Sequence, residues 1–302
     1  MFHKEISAAL ANVRGVVKQN YDLAKLTFFK VGGPADFLYI PANAQELCQV
    51  IKRLPNHVPI FVIGAGSNLL IRDGGIRGLT IKLSQLNQIS CHDDIIKVQS
   101  AVADKALAMF AQSNELSGLE YLYTIPGTVG GAVVMNAGAH SLEIKDSLIN
   151  VEVLTPQGET ATLTNSQCNF GYRQSVFSSN DHIILSASFK VKQGASKEEI
   201  QQRMLFLEQQ RIKTQPLAKE KTGGSTFKNP HPHKAWKLIS ESIPVGLSVG
   251  GASVSPKHCN FLLNSNNATA KDIEDLGNLI IKKVEDKFNI TLKWEIKIVG
   301  EH

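Results

Sequence analysis

The chain has 302 residues, 43% hydrophobic and 20% charged, the balance of a globular protein with room for two or three domains. Its net charge of +5 suits an anionic small molecule as easily as nucleic acid, and no dense Lys/Arg block or basic-aromatic interleaving favours the latter. Cys48, Cys91, Cys168 and Cys259 form no CxxC pair and no zinc-type His/Cys spacing, so no metal is expected and the thiols read as free in a reducing cytoplasm.

The N-terminus lacks the apolar core of a signal peptide, and the apolar stretch 116–139 carries Glu120, Pro126 and several glycines, which argues against a membrane span. Residues 2–19 read as an amphipathic helix, with Ile6, Leu10, Val13 and Val17 at helical spacing. A strand over 37–40 ends at Pro41, a helix covers 44–54, and the apolar run 60–63 reads as a buried strand. Strands at 79–83 and 95–100 precede a helix over 104–115. Residues 151–154 and 160–163 flank the turn Pro156-Gln157-Gly158-Glu159 as a hairpin, and 183–191 alternates as a strand.

Composition changes after Gln193-Gly194-Ala195, the best domain boundary. Ser196 with Glu199, and Thr269 with Asp272, are capping-box patterns opening two helices. The second helix carries the stripe Ile273, Leu276, Ile280, Val284 and Phe288. Strands and helices are mixed without strict alternation, which predicts an α+β fold and not a doubly wound one. The division expected is an N-terminal helix over 1–21, a domain over 22–193 in two α+β subdomains split near 70–80, and a second α+β domain over 197–302.

Two loops are glycine-rich. Gly64-Ala65-Gly66-Ser67-Asn68-Leu69 follows a strand, where backbone N–H groups can cradle phosphate. It lacks the third glycine and downstream acid of a dinucleotide fingerprint, and the Gly-Lys-Ser/Thr of a P-loop, so a plain tight turn is an equal reading. Pro126-Gly127-Thr128-Val129-Gly130-Gly131-Ala132, continuing to Asn136-Ala137-Gly138-Ala139, lets a flat ligand lie against backbone, or lets two elements cross closely.

The most informative segment is Gly223-Gly224-Ser225-Thr226-Phe227-Lys228-Asn229-Pro230, a serine on a stiff turn beside a cation and an amide. Gly171-Tyr172-Arg173-Gln174-Ser175-Val176-Phe177 offers a guanidinium suited to a carboxylate. Residues 292–298 alternate apolar and polar, which by itself leaves Glu295 on a wet strand face beside Lys293 and Lys297. His258 has a neutral-range pKa available for base catalysis but reads first as a packed or surface histidine.

Together these segments resemble the UDP-N-acetylenolpyruvoylglucosamine reductase (MurB) family over about residues 22–300. The carriers are the Gly-Ser-x-Phe-Lys-Asn-Pro run at 224–230, the Tyr-Arg-x-Ser-x-Phe element at 172–177, and the Leu-x-x-Glu-Ile closing element from Leu292. The two glycine loops in this order, with Phe29-Lys30-Val31-Gly32-Gly33-Pro34-Ala35, resemble that family's opening motifs. The resemblance implies a two-subdomain, non-Rossmann FAD-binding fold of the vanillyl-alcohol oxidase type, plus a C-terminal α+β substrate domain. It implies non-covalent FAD held by Gly64, Ala65, Gly66, Ser67, Asn68, Leu69, Pro126, Gly127, Thr128, Gly130, Gly131, Ala132, Asn136 and Gly138.

It further implies that NADPH reduces the flavin, which then reduces UDP-N-acetylglucosamine enolpyruvate to UDP-N-acetylmuramate for peptidoglycan. Ser225 inherits the proton-donor role, and Arg173 and Glu295 the stabilisation of the carboxylate. Tyr172, Lys228, Asn229, Lys257 and Lys297 become substrate-binding candidates. The short span from Arg173 to Ser225 resembles the short, type II form of the enzyme. Lys221-Thr222, Trp236 and Lys293 depart from the common family wording without touching Ser225, Arg173 or Glu295. The rivals are a flavin oxidase or dehydrogenase of the same fold and a non-catalytic nucleotide-sugar binder. A monomer, with no nucleic-acid or membrane partner, is expected.

Overall fold

The computed structural model describes residues 2–216 and 219–302. The chain opens with α1 (His3–Ala9), β1 (Val16–Asp22), β2 (Pro34–Ile40), α2 (Ala44–Arg53) and β3 (Ile60–Ile63). Strands β4 (Leu69–Ile71), β5 (Ile76–Lys82), β6 (Ile89–His92) and β7 (Ile95–Gln99) follow, then helices α3 (Asp104–Ser113) and α4 (Val129–Met135). The short strands β8 (Gly138–Ala139) and β9 (Leu142–Glu143) precede β10 (Leu148–Leu154), β11 (Thr160–Thr164), β12 (Ile183–Lys190) and the long helix α5 (Lys197–Thr214). The C-terminal part holds α6 (Ala235–Ser242), β13 (Ser248–Val249), β14 (Ala252–Val254), β15 (Leu262–Asn264), α7 (Ala270–Phe288) and β16 (Lys297–Val299).

These elements gather into two units. The first comprises Met1–Gln19, Phe37–Ala65 and Gly78–Arg211; the second comprises Asn20–Asp36, Gly66–Arg77 and Ile212–His302. The first unit has two cores. One packs α1 and α2 on β2 and β5 through Ile6, Tyr39, Leu47, Val50, Leu79 and Ile81. The other packs α3 and α4 on a five-stranded antiparallel sheet ordered β11-β10-β12-β7-β6, through residues such as Leu107, Val133, Val151 and Phe189. This is the α+β, non-Rossmann arrangement of two subdomains.

In the second unit, Ile273, Leu276, Ile280 and Val284 of α7 are fully buried against Phe29, Phe227, Ile239 and Leu262, as a 3.6-residue stripe dictates. Both halves of the Thr269/Asp272 capping box are present at the start of α7. The Asp73 carboxylate also accepts from the backbone N–H groups of Ala270 and Lys271, placing negative charge at the positive helix end. Strand β16 pairs in parallel with β4, with Ile298 opposite Leu70.

Four expectations change. The N-terminal helix expected over 1–21 covers only His3–Ala9, and Val16–Asp22 is a strand. Only Ile6, Ala9 and Leu10 of that segment are buried, Asn12 adopts φ +61°, and the β-branched pair Val16-Val17 favours extended backbone beyond Gly15. Strand β3 is not sealed in a core: it lies at the sheet edge beside β5, and Ile60 and Val62 are exposed. Strand β12 does not alternate, because it runs between β10 and β7 with both faces covered. Residues 292–296 form no regular strand; β16 begins at Lys297, and Trp294 makes only an isolated bridge to Phe227. Among the described residues, no helix is long and apolar enough to cross a membrane.

Candidate active site

In the first unit, a cavity of about 320 Å³ opens where β3, β5, α4 and β12 meet, within the size range of small-ligand sites. Val62, Ile63, Gly64 and Ala65 line one wall, and Thr128, Gly130 and Gly131 another. This explains the apolar, uncovered face of β3. The walls approach closely at Gly64, where a Cβ would stand 2.7 Å from Thr128 Oγ1. Lys82 donates through Nζ to Gly64 O at 3.0 Å, and burial holds its ammonium below the ordinary lysine pKa. Ser100 Oγ and His182 Nδ1 are buried along the lining with no partner among the described residues. Orphaned donors and acceptors around an apolar slot built of glycine and Thr128 fit a flat heteroaromatic ring with polar edges.

The rest of the second glycine loop builds a knot around Arg173. Asn136 ends α4 in the left-handed conformation and is fully buried. Its Nδ2 donates to Glu143 Oε2 and Gly171 O, both at 3.0 Å, while its Oδ1 accepts from Lys145 N at 3.1 Å. Arg173 sits at φ +54° in a tight turn, with Nη2 donating to Gly138 O at 3.0 Å. Its Nη1 lies 3.8 Å from Glu143 Oε1, and its guanidinium stacks 5.1 Å from the Tyr172 ring centroid. Glu143 also pairs with Lys145 at 2.8 Å, so it anchors two cations in a half-buried setting.

In the second unit, Ser225 and Glu295 are brought together. Ser225 forms an antiparallel bridge with Phe261, and Glu295 N donates to Thr226 O at 2.8 Å. Lys228 N likewise donates to Lys293 O at 2.9 Å, so the serine turn and the segment before β16 run side by side. Both Ser225 and Glu295 are half-buried. Gly223 is required by packing: its Cβ would fall 2.4 Å from Phe29 Cε2. The second half of the first glycine loop belongs to this unit. Gly66 holds φ +70° with Leu26 O only 2.0 Å from where a Cβ would be, and Asn68 Nδ2 donates to Glu295 O at 3.2 Å.

Of the other predicted residues, Gly64, Ala65, Thr128, Gly130 and Gly131 line the cavity; Pro126, Gly127, Ala132, Asn136 and Gly138 do not. Ser67 lies between the Gly66 turn and Asn68, and Leu69 starts β4 opposite Lys297. Asn229 Oδ1 accepts from Ala235 N at 2.9 Å and so fixes the start of α6. Lys257 is exposed and bonds Ile212 O, and Lys297 is exposed on β16. His258 packs edge-on against Phe261 at 4.9 Å, with burial lowering its pKa, which is the packed-histidine reading. Lys82, Ser100, His182 and Glu143 escaped the sequence reading, because nothing local distinguishes a strand-end lysine or serine from any other. Among the described residues, no group of three or more His, Cys, Asp or Glu side chains could hold a metal.

Residues 35–164 match the model of an FAD-binding domain, so the first unit's fold and cavity define a flavin-binding class. Residues 215–299 match the model of the UDP-N-acetylenolpyruvoylglucosamine reductase C-terminal domain. The chain is 44% identical over 299 residues to the UDP-N-acetylenolpyruvoylglucosamine reductase of Bradyrhizobium sp. (strain ORS 278), covering 98% of this chain and 96% of that one. It is 45% identical over 291 residues to the protein of the same name from Rickettsia felis (strain ATCC VR-1525 / URRWXCal2), covering 96% and 98%. The crystal structure of the MurB enzyme from Thermus caldophilus superposes with a TM-score of 0.80 at 33% identity, covering 95% of this chain and 99% of that one. The chain belongs to the UDP-N-acetylenolpyruvoylglucosamine reductase family.

Proposed function

We propose that the chain catalyses the NADPH-dependent reduction of UDP-N-acetylglucosamine enolpyruvate to UDP-N-acetylmuramate, with FAD as its bound cofactor. The observation that carries the reading is the pairing of Ser225 and Glu295 on neighbouring peptides, 2.8 Å from Glu295 N to Thr226 O, within a chain of this family. Bound FAD would supply two-electron hydride chemistry linking NADPH to the vinyl group. Gly64, Ala65, Thr128, Gly130, Gly131 and Lys82 are the residues that would hold it.

The chain's own side chains manage charge and the proton. Hydride arriving at the terminal vinyl carbon drives negative charge onto the enolpyruvyl carboxylate. Arg173, permanently cationic and held by Gly138 O, stabilises that charge, and Glu295 does so as a protonated donor. Ser225 then gives its proton to the neighbouring carbon, completing the lactyl ether. A serine hydroxyl is a weak acid, so the role needs an oriented site shielded from water. Tyr172 and Lys228 flank the two reacting segments and, with Lys257 and Lys297, supply contacts to the anionic nucleotide sugar. Asn229 supports Ser225 by fixing the turn against α6.

We read the active chain as a cytoplasmic monomer of the short, type II form. The test is stoichiometry: one NADPH oxidised per UDP-N-acetylmuramate formed, with no oxygen consumed. Turnover that consumes oxygen, or that proceeds equally without the enolpyruvyl sugar, would support the oxidase alternative instead.

A further inference from the structure

On its Asn260 side, the segment carrying Ser225 bridges Phe261, and at Phe227 a side chain takes over the pairing. Asn260 O accepts from Thr226 N at 2.8 Å, Asn260 Oδ1 accepts from Phe227 N at 3.0 Å, and Asn260 Nδ2 donates to Phe227 O at 2.9 Å. The amide therefore plays the part of a peptide group, pairing with both the N–H and the C=O of Phe227 as a neighbouring strand would. Asn260 is 5% exposed and Phe227 is 1% exposed, so these bonds are shielded from water and costly to leave unmade.

On its other side, the same segment accepts from Glu295 N through Thr226 O. Thr226 is thus held at both ends, by Asn260 on one flank and by the Glu295 peptide on the other. The turn that presents Asn260 is itself ordered: Asn260 N donates to His258 Nδ1 at 3.2 Å, and Phe261 N donates to His258 O at 2.9 Å. Phe227 is also packed by the Trp294 ring, at 5.1 Å between centroids.

We infer that Asn260 is the positioning residue for the proton donor, its buried amide fixing the Thr226-Phe227 peptides so that Ser225 and Glu295 keep their relative placement. The inference deepens, and rests on, the reading of Ser225 as proton donor. It predicts a selective defect. Misplacing a reacting group by about 1 Å can cost on the order of 10²-fold, and only the step that uses Ser225 should feel it.

The experiment measures the two half-reactions of the FAD-loaded protein by anaerobic stopped flow, for Asn260→Ala, Asn260→Asp, Ser225→Ala and the Ser225→Ala/Asn260→Ala double variant. Asn260→Asp keeps the side-chain volume and an acceptor for Phe227 N but turns an oxygen toward Phe227 O where the donor stood, so it disturbs the same peptide without opening a cavity and gives a second reading beside the alanine variant. The expected result is unchanged bleaching by NADPH and reoxidation by UDP-N-acetylglucosamine enolpyruvate slowed about 10²-fold in Asn260→Ala and slowed in Asn260→Asp as well. The double variant should be no slower than Ser225→Ala alone, because both changes act on one proton transfer. Full-rate reoxidation in both Asn260 variants, multiplicative losses in the double variant, or equal loss of both half-reactions would overturn the inference. Normal reoxidation in Ser225→Ala would instead remove Ser225 from its role, an outcome read independently of Asn260.

Discussion

The cavity of the first unit and the Ser225–Glu295 ladder of the second are built on opposite plans. The cavity is lined by glycine, Thr128 and aliphatic residues together with Lys82, and the buried polar atoms at Ser100 and His182 have no partners among the described residues. The ladder pairs its backbone densely: Thr226 N, Phe227 N, Phe227 O and Thr226 O all have partners within the unit, while the buried Thr226 Oγ1 has none among the described residues. A slot that receives a large prosthetic group gains by leaving polar edges for the ligand, since those atoms are satisfied on binding. A hydroxyl that must release a proton at one carbon gains by having no freedom at all. Arg173 follows the second plan, fixed through Gly138 O and Glu143 in a left-handed turn.

That contrast can be broken most severely at Ser225. In Ser225→Ala, substrate-driven reoxidation should fall by about 10²–10⁴ while NADPH bleaching survives, because a general acid is lost and the cavity is untouched. Arg173→Lys should come next. It keeps the charge but loses the planar fork, and the expected drop is about 10²-fold in kcat with FAD still bound, checked by steady-state rates and the flavin spectrum. Gly277→Ala probes the ladder through packing alone. Its Cβ would stand 2.0 Å from Trp294 Cη2, so stability should fall by about 1–3 kcal/mol in denaturant unfolding. Because Trp294 precedes Glu295, reoxidation should slow as well, without a change in FAD affinity.

The smallest effect expected lies away from both sites, at Asp104 of the first unit. Its carboxyl is fully buried, neither oxygen has a partner among the described residues, and desolvation raises its pKa to about 8. The unfolded chain ionises this group near the ordinary aspartate value of 3.8, whereas the folded chain keeps the proton to about pH 8. Between those values the folded state binds more protons, so the Asp104 contribution to stability declines as pH rises and levels off above pH 8. Asp104→Asn should therefore raise the melting temperature at pH 8 and change it little at pH 4, as differential scanning calorimetry would show.

Much of this was legible in residues with local signatures. The capping box at Thr269 and Asp272 and the stripe of α7 obey short-range rules and appear as expected. Ser225 and Arg173 stand out because a serine after paired glycines and a guanidinium in a Tyr-Arg turn are unusual words. The N-terminal helix failed because Val13 and Val17 matched helical spacing by coincidence, while Gly15 and the Val16-Val17 pair set the backbone. Asn260 could not be singled out from sequence, and Asn136 was named there only among the FAD contacts that the resemblance implies. Each works by pairing with groups 33 and 35 residues away, and an asparagine completing a distant hydrogen-bond set looks locally like one in a turn. The Glu143 partner of Arg173 was hidden for the same reason.

The central claim is that one chain joins a flavin slot to a separately fixed proton donor acting on an enolpyruvyl sugar. The most direct test is the visible spectrum of the purified, unmodified protein under anaerobic conditions, first with NADPH and then with UDP-N-acetylglucosamine enolpyruvate. The prediction is a yellow protein that bleaches with NADPH and regains its colour when the enolpyruvyl sugar is added. A colourless preparation that does not take up FAD, or a bleached protein that recovers only when air is admitted, would contradict it.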